Sequence, residues 1–168
     1  RISELVQGKR ILDVGCGTGL HGIGFVIVGA ESYVGVDPRI QTASPRVKDL
    51  RSGQWRDIGP TGQEISERMP RIQLIPGDLS GLSAHLRFDV AVLHNVTEHL
   101  LNLDEVLHQI ALRLRESGQL IFSHHNFYCW NGHHQQPKRV SDLDADDKEQ
   151  RHFYDWRHIR YDCPANHY

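Results

Sequence analysis

Short apolar runs alternate along this chain with longer amphipathic stretches, a pattern that predicts β-strands joined by helical crossovers. Five runs have the length of a strand, and they occupy residues 10–14, 32–36, 71–75, 88–93 and 119–123. The fourth run is almost entirely apolar, which is typical of a parallel strand that is buried on both faces. We therefore predict an α/β fold with a Rossmann-like, doubly wound and mainly parallel sheet.

The stretches between these runs are less regular. Residues 20–29 are predicted to form a helix that its glycines weaken, and residues 103–115 carry apolar side chains at helical spacing. Gly118 stands where we expect that second helix to have ended. The polar connection at residues 39–70 predicts one or two short helices, whereas the stretch from Asn126 onward shows no strand period.

Composition excludes several classes of protein. The formal net charge of −2 provides no basic field for general nucleic-acid binding, and no apolar run approaches the roughly 20 residues of a membrane span. Three cysteines without C-x-x-C spacing suit a reducing compartment, and the first residues do not resemble a signal peptide. We expect a cytoplasmic protein, and the missing initial Met leaves open that the chain is a fragment.

The strongest chemical signal is the segment 12–19, Leu-Asp-Val-Gly-Cys-Gly-Thr-Gly, directly after the first predicted strand. Glycines at alternate positions let the backbone turn tightly and approach a ligand, and the next helix begins with free N–H groups. Asp37 ends the second strand about twenty residues later, where a carboxylate can accept hydrogen bonds from ribose hydroxyls. Together these features predict a cofactor that contains adenosine.

Two other interpretations of this segment remain open. Gly17, Gly19 and Gly22 match the dinucleotide fingerprint, so an NAD-dependent oxidoreductase is one alternative, although the match lies two residues late. Asp13 argues against it, because a carboxylate there would repel a pyrophosphate but would suit a ligand bearing an ammonium and a sulfonium. An ordinary tight βα turn without a ligand is the second alternative.

Four segments of the chain resemble the motifs of a known family. Residues 11–19, 35–38, 77–79 and 88–93 are similar to the successive motifs of class I S-adenosylmethionine-dependent methyltransferases, and residues 94–100 resemble the ubiquinone-type, small-molecule branch. The resemblance implies the class I methyltransferase fold, S-adenosyl-L-methionine as cofactor and S-adenosyl-L-homocysteine as product. The family sheet ends with a sixth and a seventh strand, for which no convincing sequence follows Ser123, so we expect these last strands to be lacking or to lie outside the given residues.

The resemblance also implies which residues contact the cofactor. The glycine turn would cradle the methionine part, with Asp13 near its amino group, while the acid of the second strand would hold the ribose. Two residues after the third strand would surround the adenine, and two after the fourth would form the floor beneath the reactive methyl group. The implied cofactor-binding residues are Asp13, Gly15, Cys16, Gly17, Thr18, Gly19, Asp37, Pro38, Asp78, Leu79, His94 and Asn95.

Polar residues that follow the fourth and fifth strands are candidates for handling the methyl acceptor. His94 and Asn95 follow one strand, and His124, His125 and Asn126 follow the other, so all five are expected at the same edge of the sheet. Histidine suits a base that removes a proton from an acceptor. Our candidates for a catalytic base or acceptor-positioning residue are His125, His124 and His94, in that order. Alternatively, these residues are polar strand ends bonded to the backbone.

The acceptor itself is expected to be a small molecule. We interpret residues 1–168 as one methyltransferase domain, with a cofactor-binding core at 1–126 and an aromatic, His-rich tail at 127–168 that serves as a lid. No resident metal, nucleic-acid partner or membrane partner is predicted, and the sequence leaves the oligomeric state open. Metal binding by the later histidines and a non-catalytic cofactor-binding module remain alternatives.

Overall fold

The computed structural model describes residues 2–38, 40, 47–48, 55–56, 60–124, 144 and 146–147. The chain divides into two compact units. The first unit comprises Arg1–His94 and Asn102–Ser123, and the second comprises Asn95–Leu101 and His124–Tyr168. All strands and α-helices of the described residues belong to the first unit.

The first unit alternates strands with helices, as the sequence pattern predicts. Between β5 and β6 a short 3-10 helix covers Leu79–Gly81. In chain order the elements are α1 Ile2–Val6, β1 Arg10–Val14, α2 Leu20–Ile27, β2 Ser32–Asp37, β3 Val47–Lys48, β4 Trp55–Arg56, α3 Gly62–Arg68, β5 Ile72–Pro76, β6 Phe88–His94, α4 Leu103–Ala111 and β7 Leu114–Ser123.

Five parallel strands form the main sheet in the order β5-β2-β1-β6-β7. The chain leaves β1 through α2 toward one edge of the sheet, and it leaves β6 through α4 toward the other. Crossovers between parallel strands are right-handed, so opposite directions place α2 and α4 on opposite faces. The direction changes between β1 and β6, and such switch points are where open α/β sheets bind ligands at the carboxyl ends of their strands.

The sheet is buried on both faces because its central strands are apolar at successive positions. On one face, Ile11, Tyr33 and Val90 share a buried cluster with Val26 of α2 and Ile65 of α3. Neighbouring side chains along a strand point to opposite faces, so the buried residues Leu12, Val34, Ala91 and Leu93 cover the other one.

The predicted strands are confirmed to within one residue at each end for the first four. Helix α2 is two residues shorter than predicted, since it ends at Ile27. Gly29 follows with φ +103, a left-handed conformation that glycine adopts without a steric penalty.

The prediction for the last crossover gave its helix and its strand but placed the boundary between them wrongly. Helix α4 ends at Ala111, not at residue 115, and Gly118 lies inside β7. The Arg113 carbonyl accepts a hydrogen bond from the Phe88 N–H at 2.9 Å, so strand pairing begins there. Leu114, which is also at helical spacing from Ile110, pairs with Phe88 in the sheet.

Strand β7 is irregular at its start. Its register pairs Leu114 with Phe88 and Gln119 with Val90, so β7 advances five residues while β6 advances two. Ser117 adopts φ +63 within this bulge. A periodicity argument cannot detect such a bulge, because the extra residues interrupt the alternation on one strand only.

Among the described residues of the connection between β2 and β5 there is one helix, where one or two were predicted. Thr61 caps α3 by accepting the Glu64 N–H at 3.0 Å, and the Glu64 carboxylate accepts the Thr61 N–H at 2.8 Å. The sequence did not predict the short antiparallel pair of β3 and β4, nor α1 before the first strand.

The described part of the second unit is short. A 3-10 helix covers Thr97–His99, and Thr97 is buried. After Ser123 only residues 124, 144, 146 and 147 are described, so the prediction of missing last strands and the predictions for the tail at 127–168 lie outside the described residues. Within the described ranges, every helix is too short or too polar to cross a membrane.

Candidate cofactor and acceptor site

The glycine turn after β1 is held in a conformation that its glycines make possible. Gly15, Gly17 and Gly19 have φ values of +78, +59 and +74, in the left-handed region that side chains disfavour. The Gly15 N–H donates to the Val36 carbonyl at 2.7 Å, and the Gly17 N–H donates to Asp37 Oδ2 at 2.9 Å. The turn and the acid that ends β2 are therefore joined directly.

The glycines of the turn differ in what surrounds them. A Cβ added at Gly17 would meet no atom within 4 Å, so this position faces open space. A Cβ at Gly19 would lie 2.5 Å from both methyl groups of Leu74. Packing and backbone conformation thus both require a glycine at position 19. At position 17 the backbone conformation favours glycine, and the open space beside it is available to a ligand.

The loop after β5 reaches the same edge of the sheet. The Gly77 N–H donates to the Asp37 carbonyl at 3.2 Å. Asp78 Oδ1 accepts the Ser80 N–H at 2.8 Å, and bonds from the Ser80 hydroxyl and N–H hold the pKa of Asp78 below its usual value. Leu79 is buried, and its carbonyl accepts a hydrogen bond from the Arg113 guanidinium at 3.0 Å.

Asp13 is a buried carboxylate inside β1. Its side chain is only 2% exposed, and the Tyr33 hydroxyl donates a hydrogen bond to Oδ2 at 2.6 Å. Burial raises the pKa of Asp13, while the hydrogen bond from Tyr33 and the nearby His21 and His94 act in the opposite direction. A group of this kind is costly to bury in its charged form without a second partner.

Tyr33 occupies a space that two glycines leave open. A Cβ at Gly22 would lie 2.7 Å from the Tyr33 ring, and a Cβ at Gly35 would lie 3.0 Å from it and 2.7 Å from the Cys16 sulfur. Phe25 stacks on the other side of the ring at 5.7 Å between centroids. Burial raises the pKa of Tyr33 and of Cys16, so both remain protonated.

A cavity of about 420 Å³ opens beside this carboxylate. Asp13, His21 and His94 supply its polar groups, and the two imidazoles meet edge to face with 5.6 Å between their centroids. The remaining walls are apolar or small, and they come from Leu20, Gly24, Phe25, Val28 and Val92. A volume of this size is typical of a pocket for a small organic molecule.

The other predicted residues lie at the ends of β2 and β6 and in the second unit. His94 ends β6 and is exposed, and Pro38 is exposed directly after β2. In the second unit, Asn95 adopts φ +53, and His124 lies with Nδ1 at 2.8 Å from the Thr97 hydroxyl. The foremost candidate base, His125, lies outside the described residues, as do the later histidines.

Within the part of the chain that the structure describes, no three His, Cys, Asp or Glu side chains are placed to hold a metal ion. The sequence interpretation missed His21, Tyr33 and Arg113. Tyr33 carried a usable signal, because a tyrosine in an otherwise apolar buried strand needs a partner for its hydroxyl. His21 and Arg113 carried none, since one stands at an ordinary helix start and the other at a helix end.

Comparison with known proteins now identifies the family. Residues 1–167 match a family model that is described as a methyltransferase domain. The chain belongs to this family. The predicted membership in the S-adenosylmethionine-dependent methyltransferases is therefore confirmed. The curated relatives include ubiquinone O-methyltransferases, as the predicted branch implies, and also tRNA carboxymethyltransferases.

The curated relatives of this methyltransferase domain differ in their acceptors. The ubiquinone biosynthesis O-methyltransferase of Azotobacter vinelandii is 28% identical over 119 residues, covering 70% of this chain and 45% of the relative. The tRNA U34 carboxymethyltransferase of Trichlorobacter lovleyi is 34% identical over 118 residues, covering 69% of this chain and 32% of the relative. The chain spans less than half the length of the curated relatives it matches.

Solved structures confirm the fold class of the methyltransferase domain. A Burkholderia thailandensis 1,6-didemethyltoxoflavin-N1-methyltransferase with bound S-adenosylhomocysteine matches with a TM-score of 0.51 and 20% identity, over 69% of this chain and 44% of that one. The [4+2]-cyclase SpnF matches with a TM-score of 0.53 and 23% identity, over 71% and 40%. At these identities the likeness shows the fold alone, and one of the two proteins is a cyclase.

Proposed function

We propose that this chain is the core of an enzyme that transfers a methyl group from S-adenosylmethionine to a small-molecule acceptor. The family supports the reaction class. The observation that supports a small acceptor is the cavity of about 420 Å³, which has mostly apolar walls and two imidazoles beside Asp13. The ammonium end of the cofactor would lie at Asp13, and a small organic acceptor would occupy the remaining, mostly apolar part of the cavity.

The residues at the carboxyl edge of the sheet fit the cofactor. The open space at Gly17 allows close approach of a ligand to the backbone. Asp37 ends β2 beside the glycine turn, where its carboxylate accepts the Gly17 N–H, and it would receive the ribose hydroxyls. Asp13 would receive the ammonium group, and the segment at Asp78 and Leu79 would border the adenine.

When bound, S-adenosylmethionine supplies an electrophilic methyl group on a sulfonium. The chain's own residues would then align the acceptor for an in-line displacement and exclude water from it. His94 lines the cavity and would accept the proton of an acceptor hydroxyl or amine through its ring nitrogen. His21 meets the His94 ring and would limit its rotation.

The two histidines after β7 and the tail have complementary roles in this proposal. His125 and His124 would handle the acceptor from the end of β7, as their place in the sequence predicts. His124 would be oriented by the Thr97 hydroxyl, which lies 2.8 Å from its Nδ1. The aromatic and His-rich residues 127–168 would close over the acceptor as a lid, within one domain that spans the chain.

A nucleic-acid acceptor is the second candidate, because several curated relatives are tRNA U34 carboxymethyltransferases. The net charge of −2 argues against it, since proteins that bind nucleic acid carry a basic surface for the phosphates. A non-catalytic cofactor-binding module is the third.

One pair of measurements separates these candidates. Calorimetry with S-adenosylhomocysteine tests the cofactor site, and NAD serves as the control ligand. Incubation with methyl-labelled S-adenosylmethionine then compares a small-metabolite pool with bulk tRNA. We expect label in the metabolite fraction. Label in tRNA would replace the small-molecule proposal, cofactor binding without any transfer would favour the module, and NAD binding alone would remove the methyltransferase.

A further inference from the structure

The hydroxyl of Tyr33 donates its hydrogen bond to the Asp13 carboxylate and also meets the Cys16 thiol. Tyr33 is fully buried on β2, and its hydroxyl lies 2.6 Å from Asp13 Oδ2. The neighbouring glycines, Gly22 and Gly35, leave the space that the ring fills. The space therefore accommodates a tyrosine. An apolar side chain of similar size would fill the same space but would not make the hydrogen bond to Asp13.

This bond fixes Oδ2 of the Asp13 carboxylate and does not involve Oδ1. Burial raises the pKa of Tyr33, so its hydroxyl stays protonated and donates a hydrogen bond to the carboxylate. Among the residues that the structure describes, no hydrogen-bond donor meets Asp13 Oδ1, and Asp13 lines the cavity. A buried carboxylate with one neutral donor lacks compensation for its charge, and a cationic donor from a ligand would supply it.

We propose that Tyr33 is a positioning residue that turns the Asp13 carboxylate toward the ammonium group of the cofactor's methionine part. The inference rests on the proposed function, because it assigns a residue to the recognition of that cofactor. Tyr33 itself contacts no ligand in this arrangement. It acts by fixing the direction of Oδ1 and by opposing the effect of burial on the pKa of Asp13.

Three ligands that differ only in the amino-acid part test this role. S-adenosylhomocysteine carries ammonium and carboxylate, its decarboxylated analogue 5′-(3-aminopropylthio)-5′-deoxyadenosine carries the ammonium alone, and 5′-methylthioadenosine carries neither. We expect Tyr33→Phe to weaken the first two ligands by about tenfold, the usual size of a lost hydrogen bond to a charged group. Binding of methylthioadenosine should be unchanged. Calorimetry on the full chain measures all three.

Two further variants separate positioning from simple destabilisation. Ile72 pairs with Tyr33 across β2 and β5 and is equally buried, so Ile72→Val is the matched control. It should lower the melting temperature and leave the affinity of all three ligands unchanged. In an Asp13→Asn background, Tyr33→Phe should have almost no additional effect on S-adenosylhomocysteine, because the group through which it acts is gone.

The pH dependence provides a second readout. The groups that face Asp13 are Tyr33 and Asp37 of β2, His21 of α2, His94 of β6 and Cys16 of the glycine turn. Protonation of Asp13 removes the charge that attracts the ammonium, so affinity for S-adenosylhomocysteine should fall as pH is lowered. The Tyr33 bond lowers the pKa of Asp13, so in Tyr33→Phe this fall should begin at a higher pH. The other groups are present in both proteins and cancel in the comparison.

Each result has a definite meaning. Equal affinity of wild type and Tyr33→Phe for S-adenosylhomocysteine would overturn this inference and leave the proposed function intact. An equal loss for methylthioadenosine would also overturn it, because Tyr33 would then act through the adenosine site or the fold. Wild-type protein that binds none of the three ligands would overturn the proposed function, and this inference with it.

Discussion

Two crossovers of the first unit, β1–α2–β2 and β6–α4–β7, each join neighbouring parallel strands through a helix, but their side chains are held in different ways. In β1–α2–β2 the candidate cofactor groups are fixed by hydrogen bonds, a buried one from Tyr33 to Asp13 and a partly buried one from Gly17 to Asp37. In β6–α4–β7 the corresponding edge presents His94 to the cavity, and its only ring contact among the described residues is with His21. We infer that the first crossover is specialised for a constant ligand, the cofactor, and the second for chemistry on a variable one.

This difference predicts that substitutions in β1–α2–β2 and at the carboxyl end of β6 affect different measured quantities. Changes in β1–α2–β2 should alter cofactor affinity, and changes at the end of β6 should alter turnover. A variant that affects both quantities equally would break the comparison.

The largest expected effect is at the end of β6. His94→Ala should lower kcat by roughly 100-fold, the lower range for loss of a general base, and change S-adenosylhomocysteine affinity far less. Steady-state kinetics with the acceptor identified by the labelling experiment measure the first quantity, and calorimetry measures the second. His108→Ala is the control, because His108 is an exposed histidine of α4 that does not line the cavity. An unchanged kcat in His94→Ala would remove His94 from the acceptor chemistry.

The next effect concerns the glycine turn. Gly17→Ala should weaken S-adenosylhomocysteine by roughly 30-fold, since a methyl group that must be accommodated in a packed contact costs about 2 kcal/mol. Gly8→Ala is a close control, because Gly8 has φ +67 and an equally open Cβ position but lies before β1. Both variants should lose similar stability, about 1 kcal/mol from the left-handed backbone. If Gly8→Ala weakened the ligand as much, the space at Gly17 would not be the cofactor site.

A third effect tests whether α4 supports the cofactor side from the second crossover. The buried Arg113 guanidinium donates to the Leu79 carbonyl at 3.0 Å and to the Gln109 side chain at 2.7 Å. Arg113→Met should lower the free energy of unfolding by about 2 kcal/mol, because it leaves the carbonyl without a charged donor. Cofactor affinity should fall several-fold, since Leu79 would lose its fixed position. Urea titration measures the stability, and calorimetry measures the affinity. Gln109→Ala removes only the second bond and should lower the free energy of unfolding by less.

Much of the first crossover could be predicted from sequence, and less of the second. The glycine spacing and the acid that ends β2 are local signals whose geometry follows from backbone sterics, and the structure brings Gly17 and Asp37 together. The boundary between α4 and β7 was misplaced because Leu114 satisfies both the helical period and the strand pairing. His21 could not be singled out, because its meeting with His94 depends on how α2 packs beside β6.

The smallest expected effect lies at the opposite end of the sheet. Asp89 is the second residue of β6, and it accepts the Arg10 N–H at 2.8 Å and the Arg115 guanidinium at 2.9 Å. Partial burial alone would raise the pKa of Asp89, but these two donors hold it below its usual value. The resulting stability is complete above the unfolded-state pKa near 4, and it is lost as pH falls through the lower pKa of the folded state.

Asp89→Asn should therefore cost about 1 kcal/mol or less at pH 7, because the Arg115 partner is half exposed and the pair is screened by solvent. The difference in unfolding free energy between this variant and wild type should shrink as pH is lowered below 4, and urea titrations at several pH values measure it. Cofactor affinity should not change, since Asp89 lies at the amino end of its strand and the cavity lies toward the carboxyl end. A change in affinity would mean that the two ends of β6 are coupled, and the division of labour between the crossovers would fail.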